Sequence, residues 1–310
     1  MTNKVIVFGS INMDLVVKTP RLPIGGETLL GRDFFTAPGG KGANQAVAIA
    51  QLNIPTTIVG RVGSDAYGNS LLASLQSYGV STDYVLIDTS AHSGVAVIAV
   101  EDSGQNNIIV VPGANGRVNT EDVEKLSNIF DNTAALLLQL EIPLSAVILA
   151  AKAAQNAGIP VILDPAPAQK DIPDQLYRLV DIITPNEIEA GELVGFPVNN
   201  SETAFEAAAI LLQRGVKTAV VKLGALGVCC ATAGESFFVP AFPVEAIDTT
   251  AAGDAFNGGL VAALTEGKSL RQAVVWGAAA GACATTLPGA MPSMPSRDTF
   301  DRFLKQHQIA

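Results

Sequence analysis

The segment from Asp248 to Gly259, D-T-T-A-A-G-D-A-F-N-G-G, joins a run of small side chains to one carboxylate and a following apolar stretch. Ala251, Ala252 and Gly253 leave their backbone amides open to a bound group. A helix beginning there would point its positive end at the same place. The pattern suits an anion or a developing phosphoryl charge, with Asp254 as a candidate general base. A tight strand-to-helix turn in which Asp254 only caps the helix has the same spacing.

The elements that would position such a site follow from hydrophobic patterning. Short apolar runs predict strands and amphipathic runs predict helices. The predicted strands cover 5–9, 56–60, 136–140, 161–163, 182–184 and 219–223, and the predicted helices cover 42–52, the region around 71–78, and the stretch after Pro143. Continuous apolar strands alternating with helices predict an α/β fold with a mostly parallel sheet covered on both faces.

Polar side chains come just after several of these apolar strands, namely Asn12, Asp14, Glu141, Asp164 and Asn186. Ligands of parallel sheets bind beyond the carboxyl ends of the strands. The sequence therefore predicts that these side chains share one rim of the sheet. Taken singly, each has another interpretation: Asn12 and Asp14 could be turn residues, and Glu141 could cap the helix after Pro143.

Two regions depart from the strand–helix alternation. Asp14–Lys18 with Thr28–Thr36, and Gly94–Val100 with Asn107–Val111, each form a pair of strand-like segments with no helix between them. We expect two hairpins in a small sheet outside the main one, inserted at about 13–37 and 93–112 of one domain spanning 1–310. An immobile antiparallel extension of the main sheet is the alternative.

Composition restricts the classes of function. The 310 residues carry a net charge of -10, which argues against nucleic acid as a partner because phosphate backbones require a Lys/Arg footprint. Three cysteines without metal-ligand spacing predict a reduced, cytoplasmic compartment. The chain enters a strand at its start without a signal-peptide pattern, and the most apolar stretch, 134–154, is interrupted by Gln139, Glu141 and Pro143. We therefore expect no membrane association.

A second segment, G-G-K-G-A-N-Q-A from Gly39 to Ala46, precedes the first by about two hundred residues. Together the two resemble the N- and C-terminal signatures of the ribokinase (PfkB) family of ATP-dependent carbohydrate kinases. Further segments fit in the family's order: Gly9–Asp14, Leu136–Glu141, Asp164–Ala168 and Thr184–Ala190. The resemblance implies a ribokinase-like fold in which the small sheet is a lid over the sugar and the contact of a homodimer.

The resemblance also implies roles for individual residues. Asp254 would be the general base, and the amides of Ala251, Ala252, Gly253 and Asp254 would be the anion hole. The sugar would contact Asn12, Asp14, Gly40, Lys41, Asn44 and Glu141. ATP with Mg²⁺ would contact Asn186, Glu189, Lys222, Gly224, Gly227 and Gly253. A potassium ion would lie at Asp248, Thr250, Ala284, Leu287, Gly289 and Ser293, mostly through backbone carbonyls.

The activity implied is phosphorylation of the 5-hydroxyl of D-ribose by ATP. A kinase for deoxyribose, a ketose or a nucleoside is the alternative within the family. A nicotinamide-dependent dehydrogenase is disfavoured because no G-x-G-x-x-G follows the first strand. A catalytically silent sugar sensor is disfavoured because Asp254 and its loop are intact. Three positions depart from the family pattern: Ala251 replaces a glycine, Lys222 replaces a neutral polar residue, and Ala278 replaces a side chain that stacks on a ring.

Overall fold

A nine-stranded sheet forms the centre of the protein, in a computed structural model that describes residues 3–309. Its strands are β1 (Lys4–Phe8), β4 (Thr56–Gly63), β5 (Val80–Asp88), β8 (Thr133–Leu138), β9 (Val161–Leu163), β10 (Ile182–Ile183), β11 (Thr218–Lys222), β12 (Gly227–Thr232) and β13 (Ser236–Pro240). The spatial order is β13-β12-β11-β10-β9-β8-β1-β4-β5. The strands from β11 to β5 are parallel, and β12 and β13 extend the sheet in antiparallel fashion.

Helices cover both faces of this sheet, so the predicted α/β class is confirmed. One apolar layer packs α1 (Lys41–Gln51), α2 (Ala66–Ser77), α8 (Ala252–Thr265), α9 (Leu270–Ala284) and α10 (Arg297–Gln306). The other layer packs α3 (Thr120–Ser127), α4 (Leu144–Asn156), α5 (Asp174–Tyr177), α6 (Glu187–Val194) and α7 (Ser201–Arg214). Successive residues of a strand point to opposite faces. Accordingly, Cys229 lies in the second layer and Cys230 in the first.

A second sheet of four strands lies outside the first. It contains β2 (Asn12–Thr19), β3 (Asp33–Gly39), β6 (Gly94–Glu101) and β7 (Asn106–Val111), in the order β3-β2-β6-β7. Both predicted antiparallel pairs are present, and β2 pairs with β6 in parallel, which joins them. This sheet exposes a run of large apolar side chains: Phe34, Phe35, Val97, Ile108, Ile109, Val110 and Val111.

Most predicted strands have different bounds in the structure, and two of the differences have a physical reason. The strand predicted over Thr28–Thr36 begins only at Asp33, because its partner Lys18 lies one residue from the end of β2. The strand predicted over 136–140 stops at Leu138, and Gln139 turns its side chain toward α1 instead. Within residues 3–309, no helix is both long and apolar enough to cross a membrane.

Candidate active site

The N-terminus of α8 lies at one rim of the large sheet. The amides of Ala251, Gly253 and Asp254 make no hydrogen bond among the described residues, whereas the amide of Ala252 donates to the carbonyl of Thr249 at 3.2 Å. Ala251 adopts the left-handed conformation, with φ of 58°, and directs the chain into the helix. Within the described residues no side chain caps this helix. The first amides of a helix have no intrahelical partner, so they remain available for an anion. Space above Gly253 is open except for Nζ of Lys222, which is 3.4 Å from the position of an added Cβ.

Asp254 lies in the first turn of α8 and is only 5% exposed. Its Oδ2 accepts a hydrogen bond from Nδ2 of Asn44 at 3.0 Å, and its Oδ1 accepts one from Nε2 of Gln45 at 2.9 Å. Burial raises the pKa of Asp254 to about 6, with a further rise from Asp164; Lys41 and the two amide donors lower it. The carboxyl group is therefore ionised near neutral pH and can accept a proton.

Asp14, predicted to contact the sugar, lies on β2 opposite Ala37 of β3. Gly39 makes room for it, since an added Cβ there would be 2.4 Å from Oδ2 of Asp14. Burial, together with the charges of Glu141 and Asp254, raises the pKa of Asp14 to about 7, and among the described residues no hydrogen bond offsets that rise. A half-buried carboxylate without donors is prepared to accept hydrogen bonds from hydroxyl groups of a ligand.

The neighbours of Asp14 are held by hydrogen bonds. The Oδ1 of Asn12 accepts from Nδ2 of Asn115 at 2.7 Å. Glu141 accepts through Oε2 from the hydroxyl of Ser10 at 2.5 Å and from the backbone amide of Lys41 at 3.1 Å. Glu141 thus fastens the start of α1 and does not cap the helix after Pro143.

Gly40 and Lys41 form the junction between β3 and α1. Gly40 has φ of 92°, and a Cβ there would be 2.8 Å from the amide nitrogen of Asn12, so only glycine fits. Burial alone would lower the pKa of Lys41, but carboxylates at four positions together raise it; they belong to Asp254, Asp164, Glu141 and Glu189. The ammonium group of Lys41 therefore stays charged near these four carboxylates.

A cavity of about 670 Å³ begins at Lys41 and Asp254 and continues past the start of α8. Its polar end contains Asp164 and Lys222, whose Oδ1 and Nζ are 3.2 Å apart. Other lining residues are Asn186, Glu189, Gly224, Gly227, Phe242, Ala251, Ala252, Gly253, Phe256 and Ala278. The predicted nucleotide residues are therefore brought together around one cavity.

Asn186 and Glu189 bond each other at the start of α6. The side chain of Asn186 accepts from the amide of Glu189, and Oε2 of Glu189 accepts from the amide of Asn186, both at 2.8 Å. Burial and the charge of Asp164 raise the pKa of Glu189. One carboxylate oxygen remains for a ligand, so this pair can contribute to a cation only alongside other donors.

Glycines shape the loop after β11. Gly224 has φ of 53°, and Gly227 has φ of 125°. A Cβ on Gly227 would be 2.3 Å from the carbonyl oxygen of Val239. The loop therefore depends on glycine for close packing against β13.

The structure brings together some of the residues that were predicted to hold potassium. Asp248 accepts hydrogen bonds from the amide of Thr250 at 2.9 Å and from that of Gly289 at 2.8 Å. Burial would raise the pKa of Asp248, but these bonds lower it. Ala284 ends α9 and accepts from the amide of Leu287. Ser293 is buried and donates its hydroxyl to the carbonyl of Ala290.

Four further polar residues belong to the site although no role was predicted for them. Ser10 and Asn115 hold Glu141 and Asn12, as described above. Gln45 and Gln139 form a buried chain of hydrogen bonds leading to Asp254. Ser10 and Gln45 lie in segments that carry the family resemblance, and Gln139 was a polar interruption of an apolar run, but the sequence indicated no contact for any of them. Asp164 was predicted on the rim and Lys222 as a nucleotide contact, but the ion pair between them was not predicted.

The family model for pfkB family carbohydrate kinases matches residues 2–297. The chain belongs to this family. It is 41% identical to the ribokinase of Haemophilus influenzae, over 98% of this chain and 99% of that protein. It is 34% identical to the deoxyribokinase of Salmonella typhi, over 98% and 99%. The solved structure of Arabidopsis thaliana ribokinase complexed with ribose and ATP matches this pfkB-family chain with a TM-score of 0.90 and 39% identity, covering 98% and 99% of the two chains.

Proposed function

We propose that this protein transfers the γ-phosphoryl group of ATP to the 5-hydroxyl of D-ribose, giving D-ribose 5-phosphate and ADP. The observation that carries the proposal is the position of Asp254, which lines the cavity in the first turn of α8 and whose charge raises the pKa of Asp14. Full-length similarity to ribokinases supports ribose as the substrate.

The sugar would bind between β2, β3 and α1. Asp14 would accept hydrogen bonds from two adjacent hydroxyl groups, which explains why a carboxylate without donors is buried there. Asn12, Glu141 and Asn44 would contact the remaining hydroxyls, while Gly40 lets the backbone approach. Lys41 supplies a positive charge between sugar and phosphate.

Asp254 would take the proton of the attacking hydroxyl on one of its carboxylate oxygens. Phosphoryl transfer depends mainly on positioning and on stabilising charge at the transferring group. The amides from Ala251 to Asp254 would stabilise that charge. Those of Ala251, Gly253 and Asp254 have no partner among the described residues, and that of Ala252 would have to leave the carbonyl of Thr249. Lys222, on the other side of Gly253, adds a positive charge beside these amides.

ATP would occupy the 670 Å³ cavity, with its adenine toward Gly224 and Gly227 and its phosphates toward α8. Within residues 3–309, no group of three or more acidic, histidine or cysteine side chains could enclose a metal. Asn186 and Glu189 nevertheless fit Mg²⁺ that keeps waters and takes phosphate oxygens as its other ligands. When bound, the ion would neutralise phosphate charge.

A potassium ion would fit beside Asp248, since a carboxylate and backbone carbonyls are suitable donors. Its residues would be Asp248, Thr250, Ala284, Leu287, Gly289 and Ser293. The hydrogen bonds from Thr250 and Gly289 to Asp248 already link this loop to the residues preceding α8. Asp248 would thereby set the orientation of the amides that follow.

We also infer one domain over 1–310, with the second sheet as a lid inserted at about 13–37 and 93–112. Asn12 and Asp14 lie on β2, so movement of this sheet would carry sugar-binding groups with it. Its exposed apolar side chains, among them Phe34, Ile108 and Ile109, would be covered in a homodimer formed through the lid.

Deoxyribose is the second candidate substrate because of the similarity to the Salmonella typhi deoxyribokinase. The experiment that tests the assignment is a coupled ADP-release assay over ribose, 2-deoxyribose, other pentoses, ketohexoses and nucleosides. We expect the highest kcat/KM for ribose. A higher value for any other acceptor would overturn the substrate assignment and leave the kinase assignment intact.

A further inference from the structure

The structure holds Asp254 in place through a buried amide chain that begins at the end of β8. Gln139 follows β8 directly, and its Nε2 donates to Oε1 of Gln45 at 2.6 Å. The Nε2 of Gln45 then donates to Oδ1 of Asp254 at 2.9 Å and to Oδ2 of Asp164 at 2.8 Å. Both glutamine side chains are fully buried.

The charges of Asp254 and Asp164 determine which way the two glutamine amides are turned. Gln45 faces two carboxylates, so its amide must present the NH₂ group to them, because its oxygen would be repelled. The amide oxygen then has to face Gln139, which in turn must present its own NH₂ group. Gln139 therefore prevents Gln45 from rotating its amide by 180°. Rotation of the Gln45 amide would turn its oxygen toward two carboxylates and its NH₂ group toward that of Gln139. The Oε1 of Gln139 has no hydrogen-bond partner among the described residues, so the carboxylates set the orientation of both amides.

We propose that Gln45, locked by Gln139, is a positioning residue that aligns Asp254 for proton abstraction and couples it to Asp164. This inference rests on the proposed function, in which Asp254 is the base. One amide nitrogen bridges the base and the carboxylate that pairs with Lys222. Gln45 thereby connects Asp254, which would remove the proton, to the ion pair of Asp164 and Lys222, which would lie near the phosphate.

A donor to the carboxylate favours its ionised form, so loss of the bond from Gln45 raises the pKa of Asp254. Other groups act on the same carboxylate from neighbouring elements: Lys41 from α1, Asp164 after β9 and Asp14 from β2. Replacement of Gln45 by methionine, which has a similar length and no donor, leaves Lys41 and Asp14 unchanged. It removes the hydrogen bonds to both Asp254 and Asp164. A shift in the pH dependence would then come from the lost hydrogen bonds.

The test compares kcat for ribose as a function of pH in wild type, Gln45→Met and Gln139→Met. We expect the acidic limb of kcat to move up by about one pH unit in Gln45→Met, and less in Gln139→Met. The shift alone should lower kcat about twofold at pH 7 and about 10-fold at pH 5 in Gln45→Met, because it lowers the ionised fraction of Asp254 by those factors. The KM for ribose and ATP should stay within about twofold. A merely structural defect would lower kcat equally at every pH.

Gln76→Met is the matched control, because Gln76 donates to Thr82 at 2.8 Å on α2 outside the site. Its pH profile should match that of wild type. If Gln45→Met does not fold, the inference is tested by the acidic limb of kcat in Gln139→Met. An unmoved limb in the folded variants would overturn the inference. A wild type that phosphorylates no ribose would instead overturn the proposed function, and the two failures are therefore distinguishable.

Discussion

The Nζ of Lys222 lies 3.2 Å from Oδ1 of Asp164, and the side chains are only 12% and 3% exposed. The same ammonium is 3.4 Å from the Cβ position of Gly253, above the positive end of α8. A cation at a helix N-terminus is unfavourable unless an anion offsets it. Asp164 supplies that anion in the free protein, and the phosphate of ATP would supply a second one.

Replacement of Lys222 by methionine should therefore impair use of ATP. Loss of a charge-assisted contact costs about 1.5–3 kcal/mol, which corresponds to a roughly 10- to 100-fold fall in kcat/KM for ATP. Steady-state kinetics at saturating ribose measure this fall. Lys217→Met is the control, because Lys217 pairs with Asp181 at 2.5 Å on the surface. Unchanged kcat/KM in Lys222→Met would remove the lysine from the phosphate site.

Replacement of Asp254 by asparagine should abolish most turnover and preserve ribose binding. The loss in kcat should be on the order of 10²-fold or more, since the amide cannot take the proton of the attacking hydroxyl. In wild type, kcat should fall as the pH drops through about 6, where Asp254 becomes protonated. Stopped-flow or steady-state assays with a ribose titration separate the loss of turnover from any change in ribose binding. A variant that keeps most of its kcat would exclude Asp254 as the base.

Replacement of Asp14 by alanine should raise KM for ribose and weaken selection against 2-deoxyribose. Every pair of adjacent hydroxyls in the furanose ring of ribose includes the 2-hydroxyl, so the binding partner of Asp14 is incomplete in deoxyribose. The preference for ribose should fall about 10-fold or more with the lost charge-assisted bond. Kinetics with both sugars test this. An unchanged ratio of kcat/KM values would place Asp14 away from the diol.

Asp14 should also make the ligand-free protein less stable at higher pH. Its folded pKa is raised from the ordinary 3.8 to about 7. The unfolded carboxyl ionises first as the pH rises, so stability declines between about pH 4 and pH 7. Asp14→Asn removes this decline. We therefore expect a larger gain in Tm from the substitution at pH 8 than at pH 5, measured without ligand; equal gains would contradict the assigned pKa.

Sequence patterning predicted most of the fold and the general location of the site. Continuous apolar strands predicted the parallel sheet, and polar residues after them marked its rim. The contacts made by Gln45 and by Lys222 with Asp164 were not predictable, because each depends on side chains more than fifty residues apart in the chain. The late start of β3 at Asp33 was missed because a strand extends only as far as its partner.

Potassium should activate the enzyme more than sodium does. The ion would order the loop at Asp248 and so preorganise the amides that follow it. Activity is measured with tetramethylammonium as the only monovalent cation, and KCl or NaCl is then added at constant ionic strength. Constant ionic strength removes a general salt effect on an acidic protein. Equal rates with all three cations, in a preparation freed of potassium, would contradict the proposed cation loop.

The most direct test of the central claim is identification of the product by ³¹P and ¹H NMR after incubation with ATP, Mg²⁺ and ribose. We predict one new phosphate monoester, coupled to the protons of C5, with ADP formed in equal amount. Asp254→Asn and 5-deoxyribose should each give no such product at matched enzyme concentration. Phosphate on another hydroxyl, or comparable product formation by Asp254→Asn, would contradict the account.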